Sequence, residues 1–135
     1  MKDLSVLNYS PKFKRKGFTA LLCGVGNEGT ADVFIKFLTT RNPKAKIIII
    51  DLGKERIENV NKLVKEKHSS LDIFVKQINA LSLQKIIKNG TIDWIEKDGF
   101  LEFFDKKSLS KMLFVWRQIL NDEGFITTRI PVYRN

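Results

Sequence analysis

Three closely spaced glycines and a later aspartate are the residues whose types and spacing could carry chemistry. Gly24, Gly26 and Gly29 follow an apolar run, and Asp51 closes a second apolar run. The aspartate comes about 20 residues after the last glycine, which is the spacing expected of an acid that binds a ribose hydroxyl. A glycine loop between a strand and a helix, followed by such an acid, predicts a nucleotide-type cofactor at the carboxyl end of a parallel strand. The spacing fits a dinucleotide and an adenosyl cofactor equally well.

Each glycine has an expected role in that loop. Gly24 permits a tight turn, Gly26 lets a ligand approach bare backbone, and Gly29 lets the following helix pack close to the strand. The residues alone leave two structural alternatives open. The loop could be a strand-to-helix turn that binds nothing, and Asp51 could be an acid that caps the next helix.

Strands and helices are expected to alternate along the chain. Continuous apolar runs, one with four consecutive isoleucines, indicate strands that are covered on both faces. Apolar residues at helical spacing indicate helices between them. Strands are expected at 18–23, 45–50, 71–78, 91–96 and 125–130, a short helix at 82–88, a turn at 121–124, and a last helix whose core face is Leu109, Met112, Leu113, Trp116 and Leu120. This alternation predicts an α/β fold with a parallel sheet.

Length and composition indicate one ordinary globular domain. The 135 residues carry a net charge of +9 and one cysteine. The one dense basic cluster contains Lys12, Lys14, Arg15 and Lys16. Because the other lysines are spread through nearly every segment, a solvated surface is favoured over a nucleic-acid interface. Cys23 suits a reducing cytoplasm, and no apolar run is long enough for a membrane span or a secretory signal. We expect a cytoplasmic protein with a basic N-terminal segment at 1–17 and a cofactor-binding domain at 18–135.

Two later passages carry a resemblance to a known family. Residues 92–96 (IDWIE) are similar to the family's fourth strand, and residues 117–126 (RQILNDEGFI) are similar to its "R-x-L-L-K-P-G-G-x-L" passage into strand five. With the glycine loop, they resemble the core of class I S-adenosylmethionine-dependent methyltransferases over nearly the whole chain. The resemblance implies a three-layer α/β/α Rossmann-like fold with strand order 3-2-1-4-5. It also implies S-adenosylmethionine as the cofactor, bound at the switch between strands one and four.

The resemblance further implies which residues would bind that cofactor. The glycine loop would contribute Gly24, Val25, Gly26, Asn27 and Glu28, with the backbone around the first three against the methionine part. Asp51 would accept hydrogen bonds from the ribose hydroxyls, and Leu52 would pack on the adenine ring. Asn79 would face the adenine amino group, and Ala80 and Leu81 would complete the adenine pocket.

Two acids near the end of strand four are the candidate general bases. Glu96 would lie near the reacting end of the cofactor, and Asp98 follows shortly after it. Such a base is needed only where the methyl acceptor must lose a proton, because the cofactor carries the reactive methyl and the protein mainly positions the reactants. The methyl acceptor itself stays unknown.

The chain departs from the family pattern in ways that bear on its partners. Leu22 stands where an acid is common, Glu28 replaces the third glycine of the usual loop, and Asp122-Glu123 replaces the Pro-Gly before strand five. The usual hairpin of strands six and seven is expected to be absent, which would leave strand five as a sheet edge. Because exposed edges tend to find partners, a second copy or another chain could cover it.

These observations favour a methyltransferase of unknown acceptor and leave three alternatives. The chain could be a non-catalytic methyltransferase-like subunit that binds a partner, an NAD-binding oxidoreductase, or a basic nucleic-acid-binding module. No Cys/His cluster has metal-ligand spacing, so no metal is expected. His68, the only histidine, is expected at the surface.

Overall fold

A five-stranded parallel sheet organises the molecule. The computed structural model describes residues 13–25, 27–97 and 105–128. Along the sheet the strands, numbered by their order in the sequence, lie as 3-2-1-4-5, and each pairs with its neighbour in parallel. The expected α/β class and the expected strand order are therefore confirmed.

The strands are β1 (Thr19–Cys23), β2 (Lys46–Asp51), β3 (Asp72–Gln77), β4 (Ile92–Lys97) and β5 (Leu120–Thr128). The helices are α1 (Glu28–Arg41), α2 (Lys54–Lys67) and α3 (Lys106–Ile119), with a 3₁₀ helix at Ala80–Lys85. No helix in the described part of the chain is both long and apolar enough to cross a bilayer.

The central strands β1, β2 and β4 are buried on both faces, as their continuous apolar runs predict. Successive side chains of a strand point to opposite faces. Ile47 and Ile49 of β2 therefore pack on the face covered by α1 and α2. Ile48 and Ile50 pack on the other face, against the 3₁₀ helix and α3. The result is the expected three-layer α/β/α arrangement.

An aromatic cluster around Trp94 fills the face under α1. Trp94 of β4 is fully buried, and its ring centroid lies 4.7 Å from that of Phe34 in α1. Phe125 of β5 stacks on the same indole at 5.8 Å. Phe13 packs edge-on against Trp94 at 5.4 Å, so this residue anchors the segment before β1 to the core.

The core face of α3 includes Met112 and Trp116 of the predicted face but differs from it at the other positions. Met112, Val115, Trp116 and Ile119 are its buried residues. Leu113 was expected in the core but is 45% exposed, and Phe114 beside it is 59% exposed. Leu120 belongs to β5 rather than to the helix. The sequence pattern did not predict which face is buried, because α3 has more apolar residues than can fit on one buried face of a helix.

Two predicted connections also differ in the structure. The short helix expected at 82–88 is the 3₁₀ helix Ala80–Lys85, which begins two residues earlier. The turn expected at 121–124 lies inside β5. Pairing with β4 passes from Leu120 opposite Ile92 directly to Phe125 opposite Trp94. Residues 121–124 therefore form a break in the ladder, as in a large bulge, and their turn-like composition reflects that break.

Asp93 joins three segments at the amino end of the sheet. Its buried carboxylate accepts a hydrogen bond from the Thr19 backbone N–H at 2.8 Å. The side chains of Arg15 and Asn121 donate to its other oxygen. Asp93 thus connects the segment before β1, the start of β1 and the irregular part of β5. Arg15, from the basic N-terminal cluster, forms an internal ion pair here.

The expectation of a surface histidine is wrong, because His68 is buried. His68 ends α2, and its Nε2 lies 2.7 Å from Oδ1 of Asp32 in α1. The other oxygen of Asp32 lies 2.9 Å from Nζ of Lys36. This pair joins α1 to α2 over the sheet, and the polar sequence around His68 gave no sign of a partner 36 residues earlier.

The contacts of Asp32 with Lys36 and His68 make the free energy of unfolding depend on pH under acidic conditions. The hydrogen bond from Lys36, and to a smaller extent that from His68, lowers the pKa of Asp32. A carboxyl whose pKa is lowered by folding contributes stability above its unfolded pKa of about 4, and this contribution is lost as the pH falls through the folded pKa. We expect Asp32→Asn to cost less than about 1 kcal/mol at neutral pH, since the pair of Asp32 with Lys36 is partly exposed, and to reduce the loss of stability below about pH 4. Urea unfolding across this range measures both effects. Asp72→Asn, at an exposed position of β3, is the control, and identical pH profiles for the two variants would contradict the prediction.

Candidate cofactor site

The carboxyl ends of β1 and β2 are joined at a glycine turn. Gly24 directly follows β1 with a φ of 87°, a left-handed conformation that glycine adopts at no steric cost. Its N–H donates to the Ile50 carbonyl oxygen at 3.0 Å. The N–H of Val25 donates to Asp51 Oδ2 at 2.7 Å. The tight turn predicted at Gly24 is therefore present, and it is bound to the end of β2.

The carboxylate of Asp51 is the centre of this corner, and it is only 8% exposed. Its Oδ1 accepts hydrogen bonds from the Gly53 backbone N–H at 2.7 Å and from Arg56 Nε at 3.0 Å. Arg56 Nη2 lies 2.9 Å from the same oxygen. These contacts with Asp51 raise the pKa of the Arg56 guanidinium. Since α2 begins at Lys54, Asp51 also helps to order the chain just before a helix.

The residues expected on the adenine side lie at the ends of β2 and β3. Leu52 is 59% exposed, and its carbonyl oxygen accepts a hydrogen bond from Gln77 Nε2 at 3.0 Å. Ala80 is buried, and Leu81 packs against the core below it. Asn79 Oδ1 accepts a hydrogen bond from the Leu81 backbone N–H at 2.9 Å. Asn79 therefore begins the 3₁₀ helix, and its carbonyl oxygen retains capacity for a second donor.

The start of α1 differs from the prediction at one glycine. Asn27 precedes the helix, and its Oδ1 accepts a hydrogen bond from the Thr30 backbone N–H at 3.0 Å. Glu28 lies in the first turn, where an acidic side chain interacts favourably with the helix dipole. Gly29 is exposed, and a Cβ added there would lie 2.9 Å from Asn27 Oδ1. Gly29 thus leaves room for the capping side chain, and the expectation that it brings the helix close to the strand is wrong.

Glu96 belongs to a hydrogen-bonded network between β4 and β5. It is buried, and its Oε1 accepts a hydrogen bond from Thr127 Oγ1 at 3.2 Å. The same hydroxyl oxygen accepts a hydrogen bond from Trp94 Nε1 at 2.8 Å. Because β1 separates β4 from β2, Glu96 is two strands away from Asp51. The other candidate base, Asp98, and the loop residue Gly26 lie outside the described residues.

The thiol next to the glycine turn is a core group. Cys23 is fully buried, and burial raises the pKa of its thiol. A buried, protonated thiol is a poor nucleophile and a poor metal ligand. In the part of the chain that the structure describes, no group of three or more His, Cys, Asp or Glu side chains could hold a metal ion.

Arg56 is the site residue that the sequence analysis missed. It lies in the first turn of α2, among charged residues that resemble a solvated helix face. A weak signal was available in Gly53, which stands between Asp51 and Arg56. A Cβ added to Gly53 would lie 2.6 Å from Arg56 Cζ, so the missing side chain makes room for the guanidinium.

Comparisons with known proteins identify the fold through solved structures. No family model matches the chain, and no curated protein matches it. A SAM-dependent methyltransferase from Aquifex aeolicus is similar with a TM-score of 0.69 and 17% identity, over 92% of this chain and 61% of that one. PKMT2 from Rickettsia typhi in complex with AdoHcy is similar with a TM-score of 0.71 and 22% identity, over 89% of this chain and 22% of that one. A geranyl diphosphate methyltransferase in complex with GPP and sinefungin is similar with a TM-score of 0.66 and 16% identity, over 86% of this chain and 40% of that one.

The chain therefore has the Rossmann-like fold of class I S-adenosylmethionine-dependent methyltransferases. It spans about a fifth to three fifths of the length of these three solved proteins. The glycine loop and residues 117–126 resemble this family, and the solved structures confirm that resemblance for the fold.

Proposed function

We propose that this chain is the cofactor-binding domain of an S-adenosylmethionine-dependent methyltransferase. The observation that carries the proposal is the buried carboxylate of Asp51 at the end of β2, joined to the glycine turn by the 2.7 Å hydrogen bond from Val25. A charged acceptor in this position suits the two adjacent hydroxyl donors of a ribose, because hydrogen bonds to ionised acceptors are the stronger ones. The similarity to methyltransferase structures, one of them with AdoHcy, supports the same cofactor.

Each part of the cofactor has a candidate partner among the described residues. Asp51 would hold the ribose hydroxyls, and the turn at 24–25 would lie against the methionine part. The half-exposed Leu52 offers an apolar surface for the adenine ring, and Asn79 Oδ1 an acceptor for its amino group. When bound, the cofactor supplies an activated methyl group, so the task of these residues is to bind and orient it.

Glu96 has a positioning role in this proposal. Its contact with Thr127 fixes the end of β4 against β5, at the edge of the sheet where the reacting end of the cofactor would lie. Proton removal by Glu96 would be required only for an acceptor that loses a proton in the reaction. We leave the acceptor open, because no described residue selects among acceptor classes.

Calorimetric titration with S-adenosylhomocysteine and, separately, with NADH tests the proposed cofactor. We expect S-adenosylhomocysteine to bind with a Kd on the order of 1–100 μM, within the range usual for enzyme ligands, and NADH not to bind. Binding of NADH in its place would favour the oxidoreductase alternative. If neither ligand binds, the proposal is wrong for this chain.

The edge of the sheet favours a second candidate, a non-catalytic subunit that binds a partner chain. Within the described residues β5 is the last strand of the sheet, and its Ile126 is 41% exposed. Leu113 and Phe114 on α3 are exposed as well. Strand edges and exposed apolar side chains commonly bind other chains. Light scattering on the calorimetry sample distinguishes the candidates, since a stable assembly that binds neither ligand would favour the second.

A further inference from the structure

One oxygen of the Asp51 carboxylate, Oδ1, is already fully occupied by groups of this chain. An ionised carboxylate offers about four lone-pair sites. Val25 N–H lies at Oδ2, and Gly53 N–H, Arg56 Nε and Arg56 Nη2 lie at Oδ1, all at 2.7 to 3.0 Å. A ribose diol brings two more donors to the same carboxylate. Since Oδ1 already accepts three donors and Oδ2 one, both hydroxyls can bind, one to each oxygen, only if a donor at Oδ1 leaves.

Arg56 is the donor that can leave. The N–H groups of Val25 and Gly53 are backbone groups, fixed by the glycine turn and by the start of α2. The Arg56 side chain is half exposed, and it reaches the carboxylate from a helix through a flexible stem. Arg56 contributes two donors to the carboxylate, Nε and Nη2, which is the same number of donors that a ribose diol contributes. Water can solvate the displaced guanidinium, and the ribose hydroxyls would replace its donors at the buried carboxylate of Asp51.

Gly53 allows the guanidinium to occupy this place. A Cβ added at Gly53 would lie 2.6 Å from both Cζ and Nη2 of Arg56 and 2.9 Å from its Nε. The backbone of Gly53 has a φ of −76°, which any L-residue can adopt. A side chain at position 53 would therefore displace Arg56 without straining the backbone.

We propose that Arg56 competes with the cofactor ribose for the carboxylate of Asp51 and lowers the affinity of the site for adenosyl ligands. This inference rests on the proposed function. Arg56 is thus a built-in occupant of the site that must move aside before the ribose binds. Gly53 is the residue that lets Arg56 lie there, and Asp51 is the acceptor for which both compete.

Two variants test the competition by different means. Arg56→Gln shortens the side chain and removes its charge. Gly53→Ala keeps the charge and the arginine but displaces the guanidinium through the added Cβ. Lys54→Gln is the matched control for charge, since Lys54 lies in the same helical turn and its side chain is 79% exposed. Calorimetric titration with S-adenosylhomocysteine at neutral pH gives the Kd of each, and urea unfolding checks that each is folded.

We expect both Arg56→Gln and Gly53→Ala to bind S-adenosylhomocysteine about three- to tenfold more tightly than the wild type, the range expected when a competing, partly exposed ion pair is removed. Lys54→Gln should bind as the wild type does. Equal or weaker binding by both test variants, with clear binding by the wild type, overturns the competition and leaves the proposed function standing. If no variant and no wild-type sample binds the ligand, the proposed function fails together with this inference. If Arg56→Gln and Lys54→Gln both bind more tightly than the wild type while Gly53→Ala does not, the gain comes from net charge and the competition is also overturned.

Discussion

Replacing Asp51 with alanine is expected to weaken the binding of S-adenosylhomocysteine by at least about 100-fold. Hydrogen bonds to a charged partner contribute about 1.5–3 kcal/mol, so the loss of the acceptor for two ribose hydroxyls corresponds to a factor of about 100 or more in Kd. The same change leaves the Val25 and Gly53 N–H groups without their acceptor. We therefore also expect the free energy of unfolding to fall by about 2–3 kcal/mol. Calorimetry measures the first effect and urea unfolding the second.

Asp51→Asn separates the charge of this residue from its shape. The amide keeps the size of the side chain and one carbonyl oxygen, but it loses the ion pair with Arg56 and part of the acceptor capacity. We expect its Kd to lie between those of the wild type and of Asp51→Ala, with a loss of about tenfold, because charged acceptors make stronger hydrogen bonds than neutral ones. If Asp51→Ala binds the ligand as well as the wild type does, Asp51 does not hold the ribose. A loss of stability without a loss of binding would make Asp51 a purely structural residue.

The fold could be predicted because its signals are local and repeated. Four consecutive isoleucines mark a strand that is buried on both faces, and the structure covers β2 on both sides. Apolar residues at helical spacing mark the helices between strands. Alternation of the two then restricts the topology, since parallel strands need crossover connections of one hand. The strand order 3-2-1-4-5 came from the family resemblance, and the sheet has that order.

The site could be predicted only as far as its backbone pattern extends. Gly24 and Asp51 were recognisable because a left-handed turn and an acid at a strand end have few alternatives. Arg56 was not recognisable, because an arginine on a charged helix has no sequence mark that separates a solvated side chain from one paired with a buried carboxylate. The contact of His68 with Asp32 was not predicted for the same reason. Contacts between side chains distant in sequence depend on how α1 and α2 pack, which periodicity does not specify.

The irregular part of β5 illustrates a different reason for failure. Asparagine, acids and glycine in succession at 121–124 favour turns, and this local preference correctly indicates that regular pairing stops there. It could not reveal that the strand continues on both sides of the break. It also could not reveal that Asn121 donates a hydrogen bond to Asp93. The sequence passage around Asp93 resembled a family strand, but the role of this residue became visible only in the folded chain.

Asp93→Ala is expected to lower the free energy of unfolding by about 3 kcal/mol, which is more than a factor of 100 in the folding equilibrium. The change removes the acceptor for the Thr19 N–H at the start of β1 and for the side chains of Arg15 and Asn121. The penalty is large because Asp93 is buried and because its half-buried donors on β1 and β5 would lose their acceptor. Urea unfolding, followed by the fluorescence of the two tryptophans, measures it.

Two further variants identify the source of that loss. Arg15→Gln removes only the half-exposed partner, so we expect a loss of about 1 kcal/mol or less. Asp93→Asn keeps the shape and one carbonyl oxygen and should lie between the two. Asp93 is at the amino end of β4, opposite the end that carries the candidate cofactor site, so all three variants should retain the wild-type Kd for S-adenosylhomocysteine while they remain folded. If Asp93→Ala costs no more than Arg15→Gln, the connection between β1 and β5 through Asp93 does not stabilise the fold. A changed Kd in a folded variant would mean that the two ends of β4 are coupled.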